Sequence, residues 1–119
     1  MESILTSVKK LNGIDKEYTH YDPDIIMYIN SALMTLRQIG VGPTEGFAIE
    51  DDTAVWSDII PEEFELMVES VKTYVAHKVK LAFDPPQNSA ALQALKEIIA
   101  EDEWRINIEV ESTQGSEVF

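Results

Sequence analysis

The chain has 119 residues, 45% of them hydrophobic, with only five glycines and five prolines, which is typical of one folded domain. Twenty-two acidic against nine basic residues give a formal net charge of −13, which disfavours sequence-specific binding to DNA phosphates and adhesion to anionic lipid. No cysteine, signal peptide or long apolar run is present, so we expect a soluble, cytoplasmically synthesised protein without a membrane partner.

The first predicted helix is short, from Ser3 to Leu11, and the Asn-Gly pair after it ends it. Its apolar residues recur at helical spacing and share one face. Lys9 and Lys10 lie in the last turn, where cations complement the negative end of the helix dipole.

The second predicted helix begins at Asp22, a capping carboxylate that is followed by Pro23 at a position where no backbone N–H is needed. Its apolar residues then recur at three- and four-residue steps over about five turns. Gly40 ends it.

The segment from Gly40 to Ile60 carries helix-breaking residues and two short apolar stretches around an acidic turn. A short two-stranded hairpin and a structured loop both fit this pattern. Because an isolated hairpin is marginal in water, we expect Phe47, Ile49 and Trp56 to pack on the helices.

The third predicted helix is the longest element, from Pro61 to the residue before Pro85. One broad apolar stripe allows it to contact two neighbours. Its acidic residues lie in the first half and its basic residues in the second. The candidate subunit-interface residues among them are Glu62, Glu65, Glu69, Lys72, Lys78 and Lys80.

A fourth helix is predicted to begin after a cap at Asn88 or Ser89 and to end near Trp104 to Ile108. Too few apolar groups follow to offset the entropy of ordering the chain. The sequence therefore predicts an all-α fold, a compact bundle of about four helices over residues 1–108, with a flexible C-terminal tail over residues 109–119.

No motif for catalysis, a cofactor or a metal is apparent. His20 and His77 are the neutral-pH bases, and neither lies in a recognisable motif, so surface or boundary roles are expected. Asp51 and Asp52 lack the spacing of a calcium loop. Tryptophans favour core packing or subunit interfaces, and Trp104 is kept as a candidate interface residue.

Several blocks along the chain resemble those of the phage head-tail connector family, also described as DNA-packaging proteins. The similar blocks, in chain order, are Tyr21–Ile26, Ile29–Ala32, Gly40–Pro43, Val71–Val75, Lys80–Pro86 and Glu103–Asn107. Their order is more specific than any single block, and the resemblance covers roughly residues 1–110. No block is a catalytic signature, so the resemblance is to a fold and an assembly role.

The resemblance implies a non-enzymatic, helical subunit that forms a homo-oligomeric ring of about a dozen copies beneath the portal protein. Such a ring retains packaged DNA, which passes through without sequence-specific binding, and presents a surface to a neck or tail-completion protein. Assembly would occur in the bacterial host cytoplasm and place the ring in the virion neck of the phage or prophage.

A ring of this kind needs two complementary sides on each subunit. We expect the Glu-rich half of the third helix to approach the lysines of a neighbouring copy, and thereby to set register more than affinity. The tail residues Val118 and Phe119 are candidate anchors for the portal protein. Around a channel, the acidic charge would repel DNA.

An alternative is an acidic interaction protein, either a DNA mimic or an assembly chaperone, that binds a basic partner. A mimic should space its carboxylates along one exposed face to imitate phosphates. The acids of this chain, such as Glu45, Asp58 and Glu101, are scattered over different predicted elements, which disfavours mimicry.

Overall fold

The computed structural model of the chain describes residues 2–115, and the side chains of all of these except residues 63 and 113–115. Its helices are α1 (Ile4–Leu11), α2 (Asp22–Ile39), α3 (Val68–Phe83) and α4 (Ser89–Gly115), with 3-10 helices at Trp56–Asp58 and Glu62–Met67. Residues 2–115 contain no β-strand, only an isolated antiparallel bridge between Ser3 and Val55. The predicted all-α bundle of about four helices is confirmed.

Helix α3 lies at the centre of the bundle and contacts α1, α2 and α4. Val71, Val75 and Val79 lie on its buried stripe, and Tyr74 beside them is fully buried as well. Because this apolar stripe is broad, a single helix can pack against several neighbours, and the core forms around it.

Helix α1 begins and ends as its sequence predicts. Its N-cap is Ser3, whose Oγ accepts a hydrogen bond of 3.0 Å from the Thr6 N–H, and Asn12 forms the C-cap. Lys9, in contrast, is not a surface cation that serves only the helix dipole, because it is buried.

The Lys9 side chain contacts the start of α2. Its Nζ lies 2.9 Å from Asp22 Oδ1 and donates to the carbonyl oxygens of Lys16 and Tyr18. The prediction that Asp22 caps α2 is therefore wrong, since Tyr21 occupies the N-cap position without a side-chain hydrogen bond and the Asp22 carboxylate pairs with Lys9 instead.

The loop after α2 is structured and is not a hairpin. Gly40 ends α2 with φ at 114°, as predicted. The Asn30 amide then bonds both backbone groups of Ile49, donating to its oxygen at 3.0 Å and accepting from its nitrogen at 2.8 Å. These are the groups that a partner strand would use, so a helix side chain takes the place of the second strand.

The apolar residues of this loop pack on the helices, as predicted. Ile49 and Trp56 are buried, and Phe47 packs partly buried against the core. The Trp56 indole N–H donates to Ser7 Oγ at 2.8 Å, which anchors the loop to α1.

The third helix begins later than predicted but ends where predicted. Residues Glu62–Met67 form a 3-10 helix, interrupted at Phe64 with φ −107° and ψ 18°, and α-helical geometry begins at Val68. A 3-10 turn brings residues three apart onto one face, so Phe64 and Met67 both reach the core. Helix α3 ends at Phe83, before the prolines.

Helix α4 is longer than predicted. Asn88 is its cap, with Oδ1 accepting from the N–H groups of Ala90 and Ala91 at 2.8 and 3.1 Å. The predicted end near Trp104 to Ile108 is wrong, because the helix continues to Gly115. Val110, four residues after the buried Ile106, is buried too, so the core continues along this last part.

The last four residues, including Val118 and Phe119, lie outside the described residues. In the described part of the chain, no helix combines the length and the apolar character that a bilayer span requires.

Candidate functional site

The most exposed large apolar side chain of the described residues is Leu66, which is 99% exposed. It lies on the 3-10 helix before α3, where Phe64 and Met67 turn to the core and leave Leu66 on another face. Glu62 and Glu65 beside it are exposed as well. We name the surface formed by Glu62, Glu65, Leu66 and Glu69 the Leu66 ridge.

A groove of about 840 Å³ lies on one side of this ridge. Trp56 and Ile60 contribute buried apolar side chains to it, and Glu2 lines its edge with the ridge residues. Among the described residues that line it, Lys72 is the one cation, and its Nζ lies 3.7 Å from the Glu69 carboxylate. We name this the acidic groove, since four of the five charged residues described in its lining are glutamates.

A smaller groove of about 300 Å³ lies on the other side of Leu66, against α4. Trp104 and Ile108 line it, and Trp104 is 62% exposed, so it is not a core residue. Arg105, which also lines this groove, is held by Glu101 one turn earlier, at 2.8 Å. An exposed aromatic next to an exposed leucine is what protein contacts favour.

The structure brings only some of the predicted interface residues together. Glu62, Glu65, Glu69 and Lys72 all line the acidic groove, whereas Lys80 lies near the far end of α3. Lys80 lines a separate groove of about 370 Å³, which we name the Leu11 groove after its exposed leucine. Lys78 is half-buried on α3 and lines neither groove.

The exposure of Leu66 was not predicted from the sequence. A stripe read at 3.6 residues per turn includes Phe64, Met67 and Val68 and leaves Leu66 aside as an isolated apolar residue. An apolar residue that falls off the stripe, follows Glu65 directly and has Glu62 and Glu69 one helical turn away on either side is the signal that could have identified it.

The two histidines contact neighbouring side chains. His77 Nδ1 lies 3.1 Å from Asp102 Oδ2, and this pair links α3 to α4. The His20 ring packs edge-on against Tyr21, with 4.6 Å between centroids. In the described part of the chain, no three acids or histidines are grouped so that they could hold a metal ion.

The Asp51 carboxylate lies in a solvated turn, as its sequence context suggested. It accepts hydrogen bonds from the hydroxyl and the N–H of Thr53, at 2.6 and 3.0 Å. These bonds favour the charged carboxylate and lower the pKa of Asp51. Local turn geometry therefore accounts for this acid.

A comparison with protein families matches residues 4–113 to one described as phage connector protein. The match covers nearly all of the chain. The chain belongs to the phage connector protein family. Comparisons with curated proteins and with solved structures find no match.

Membership of the family indicates a structural role for this chain. The family is structural rather than enzymatic, and it implies a component of the virion neck that assembles with portal and tail proteins. For such a role, the exposed apolar side chains and charged grooves around α3 are the natural candidates for contact.

Proposed function

We propose that this connector is a subunit of the ring that joins the phage head to the tail, beneath the portal protein. In this proposal the ring retains packaged DNA and offers the attachment surface for a neck or tail-completion protein. The match of residues 4–113 to the connector family carries the proposal. Assembly takes place in the host cytoplasm, before the ring becomes part of the virion neck.

Ring formation by about a dozen copies needs a heterologous contact, in which one surface of a subunit meets a different surface of the next. Glu62, Glu65 and Glu69 form one exposed acidic surface, which supports this arrangement. The lysine side of the contact involves Lys72, Lys78 or Lys80, and Trp104 contributes its exposed indole to the interface.

The negative charge serves DNA passage in this proposal. A ring of subunits that each carry −13 presents a repulsive wall to duplex DNA, so the DNA moves through without sticking. Screening limits the effect to about 8 Å at physiological salt, so only acids near the channel contribute.

The C-terminal residues are the proposed contact to the portal protein. Val118 and Phe119 provide two apolar side chains at the end of an otherwise polar segment, and a short extended segment can add to a strand edge of a partner.

Particles assembled without this chain test the proposal. We expect filled heads that lose their DNA and do not join tails, because both functions are assigned to the ring. Addition of the purified chain should restore tailed particles, counted by electron microscopy, and a bovine albumin control should not. Normal numbers of tailed, DNA-filled particles in its absence would contradict the proposed function.

A further inference from the structure

We propose that the Leu66 ridge of one copy inserts into the Leu11 groove of the next copy, and that this contact sets the order of subunits around the ring. The inference rests on the proposed ring and names the two surfaces that build it.

The Leu66 ridge has the features of an inserted surface. Leu66 contacts almost nothing in its own chain, while its neighbours Phe64 and Met67 fix the 3-10 helix that carries it. Burying such a leucine removes apolar area from water and stabilises an interface. The surrounding carboxylates of Glu65 and Glu69 require cations on the receiving side.

The Leu11 groove has the features of a receiving surface. Its volume of about 370 Å³ is lined by apolar side chains of three helices, among them Leu11, Ala76 and Leu95. The titratable groups that line it are Lys80 and His77, and neither is an acid. Lys10 and Lys96 are exposed and adjoin the lining residues Leu11 and Leu95 in the sequence.

The acids near this groove already have partners of their own. Asp84 pairs with Lys80 at 2.9 Å, and Asp102 pairs with His77. Lys10 pairs with Glu2, at the edge of the acidic groove, at 3.8 Å. Exposed pairs of this kind contribute little, so these lysines can exchange partners for the glutamates of a neighbouring copy at low cost.

A second copy fits better than other occupants. The ridge lies before the start of α3 and Lys80 in its last turn, so the two surfaces lie toward opposite ends of this helix. A contact between two different surfaces of the same subunit propagates from copy to copy and can close a ring. The C-terminal residues of the chain itself include Glu117 and carry no cation for the acidic ridge.

Two charge-reversed double variants test the contact: Glu65→Lys with Glu69→Lys, and Lys10→Glu with Lys80→Glu. Each variant alone should self-associate about tenfold more weakly than wild type, because like charges then face each other in every contact. Mixing the two variants should restore association, since each reversed surface finds its complement on the other variant. Sedimentation velocity, with and without portal particles, measures the association of each variant and of the mixture.

Cysteine crosslinking provides a second readout, because the native chain has no cysteine. Mixing Leu66→Cys with Leu11→Cys subunits under oxidising conditions should give a disulfide-linked dimer. The matched control is Met34→Cys, an exposed apolar position on α2 outside both surfaces, which should give several-fold less crosslinked dimer with Leu66→Cys.

Failure of this contact is distinguishable from failure of the proposed function. Equal crosslinking at Leu11 and Met34, or no restoration on mixing, overturns the contact, and the proposed function stands if rings still form on portal particles. Capture of the Leu66 ridge by a different protein, with no crosslink between copies, also overturns it. Restored association together with selective crosslinking confirms it.

Discussion

Lys9 couples the first helix to the second through one buried amine. Its side chain is only 2% exposed, and its Nζ contacts a carboxylate and two backbone oxygens from the α1–α2 connection. A buried ammonium is tolerated only when it is paired and hydrogen-bonded, which is the case here. The buried Lys9 side chain therefore stabilises the connection between α1 and α2.

Replacing Lys9 with Met should lower the free energy of unfolding by about 3 kcal/mol, because the partly buried Asp22 carboxylate and two carbonyls lose their donor. Lys10→Met, at the exposed neighbouring position, should change it by less than about 0.5 kcal/mol. Urea unfolding followed by circular dichroism measures both. Similar stabilities of the two variants would show that the buried pair contributes nothing.

Tyr74 links stability to alkaline pH. Burial raises the pKa of its phenol well above the ordinary value of 10.0, and the hydrogen bond that it donates to Glu103 at 2.7 Å raises it further. In the unfolded chain the phenol ionises near its ordinary value, whereas the folded chain keeps it neutral. Rising pH therefore removes protons from the unfolded state first and favours unfolding.

The stability that Tyr74 contributes should thus be complete below pH 10 and decline above it. We expect Tyr74→Phe to be about 1 kcal/mol less stable than wild type at neutral pH, through loss of the hydrogen bond to Glu103. This difference should shrink from about pH 10 to about pH 11, as thermal unfolding at each pH can measure. A constant difference across that range would contradict this assignment.

The roles of single residues were predictable where local backbone geometry determines them. Asn88 caps α4 and Gly40 ends α2, because these roles depend on a few neighbouring residues, whereas the predicted cap Asp22 pairs with the buried Lys9 instead. The burial of Lys9 and the exposure of Leu66 were not predictable from neighbouring residues. Lys9 is buried where it pairs with Asp22 of the next helix, and Leu66 is exposed because its segment forms a 3-10 helix.

At the scale of elements, α4 departs most from its prediction. Composition after Ile108 is too polar to stabilise an isolated helix, yet Val110 continues the buried face of Ile106 and packs into the core. Tertiary packing therefore extends the helix beyond the point where its own sequence would end it.

Val110→Ala should lower the free energy of unfolding by about 2 kcal/mol, through loss of buried methyl groups and the cavity left behind. Ile108→Ala, at a half-exposed position two residues earlier, is the matched control and should cost clearly less. Chemical unfolding of both variants measures the difference. If Val110→Ala is as stable as wild type, the helix does not pack there in solution.

The loop between α2 and α3 shows what composition can and cannot predict about an element. Its apolar residues predicted contact with the helices, which Ile49 and Trp56 confirm. The choice between hairpin and loop depended on the Asn30 amide, which is distant in sequence and carries no local signal.

At the scale of the whole molecule, four amphipathic patterns sufficed to predict an all-helical bundle, because each apolar stripe must be buried against another. The order of the sequence blocks that resemble the connector family then predicted membership of that family, which the match over residues 4–113 confirms. Surfaces were harder to predict, since exposure depends on how the helices pack and not on the pattern within each one.

The most direct measurement of the central claim is electron microscopy of purified portal particles incubated with this connector. We expect an added ring at one end of the portal, with a rotational symmetry of about twelve, and loss of that ring when Leu66 is replaced by Gln. Portal particles that stay unchanged at saturating connector concentration would show that the chain does not form the proposed ring.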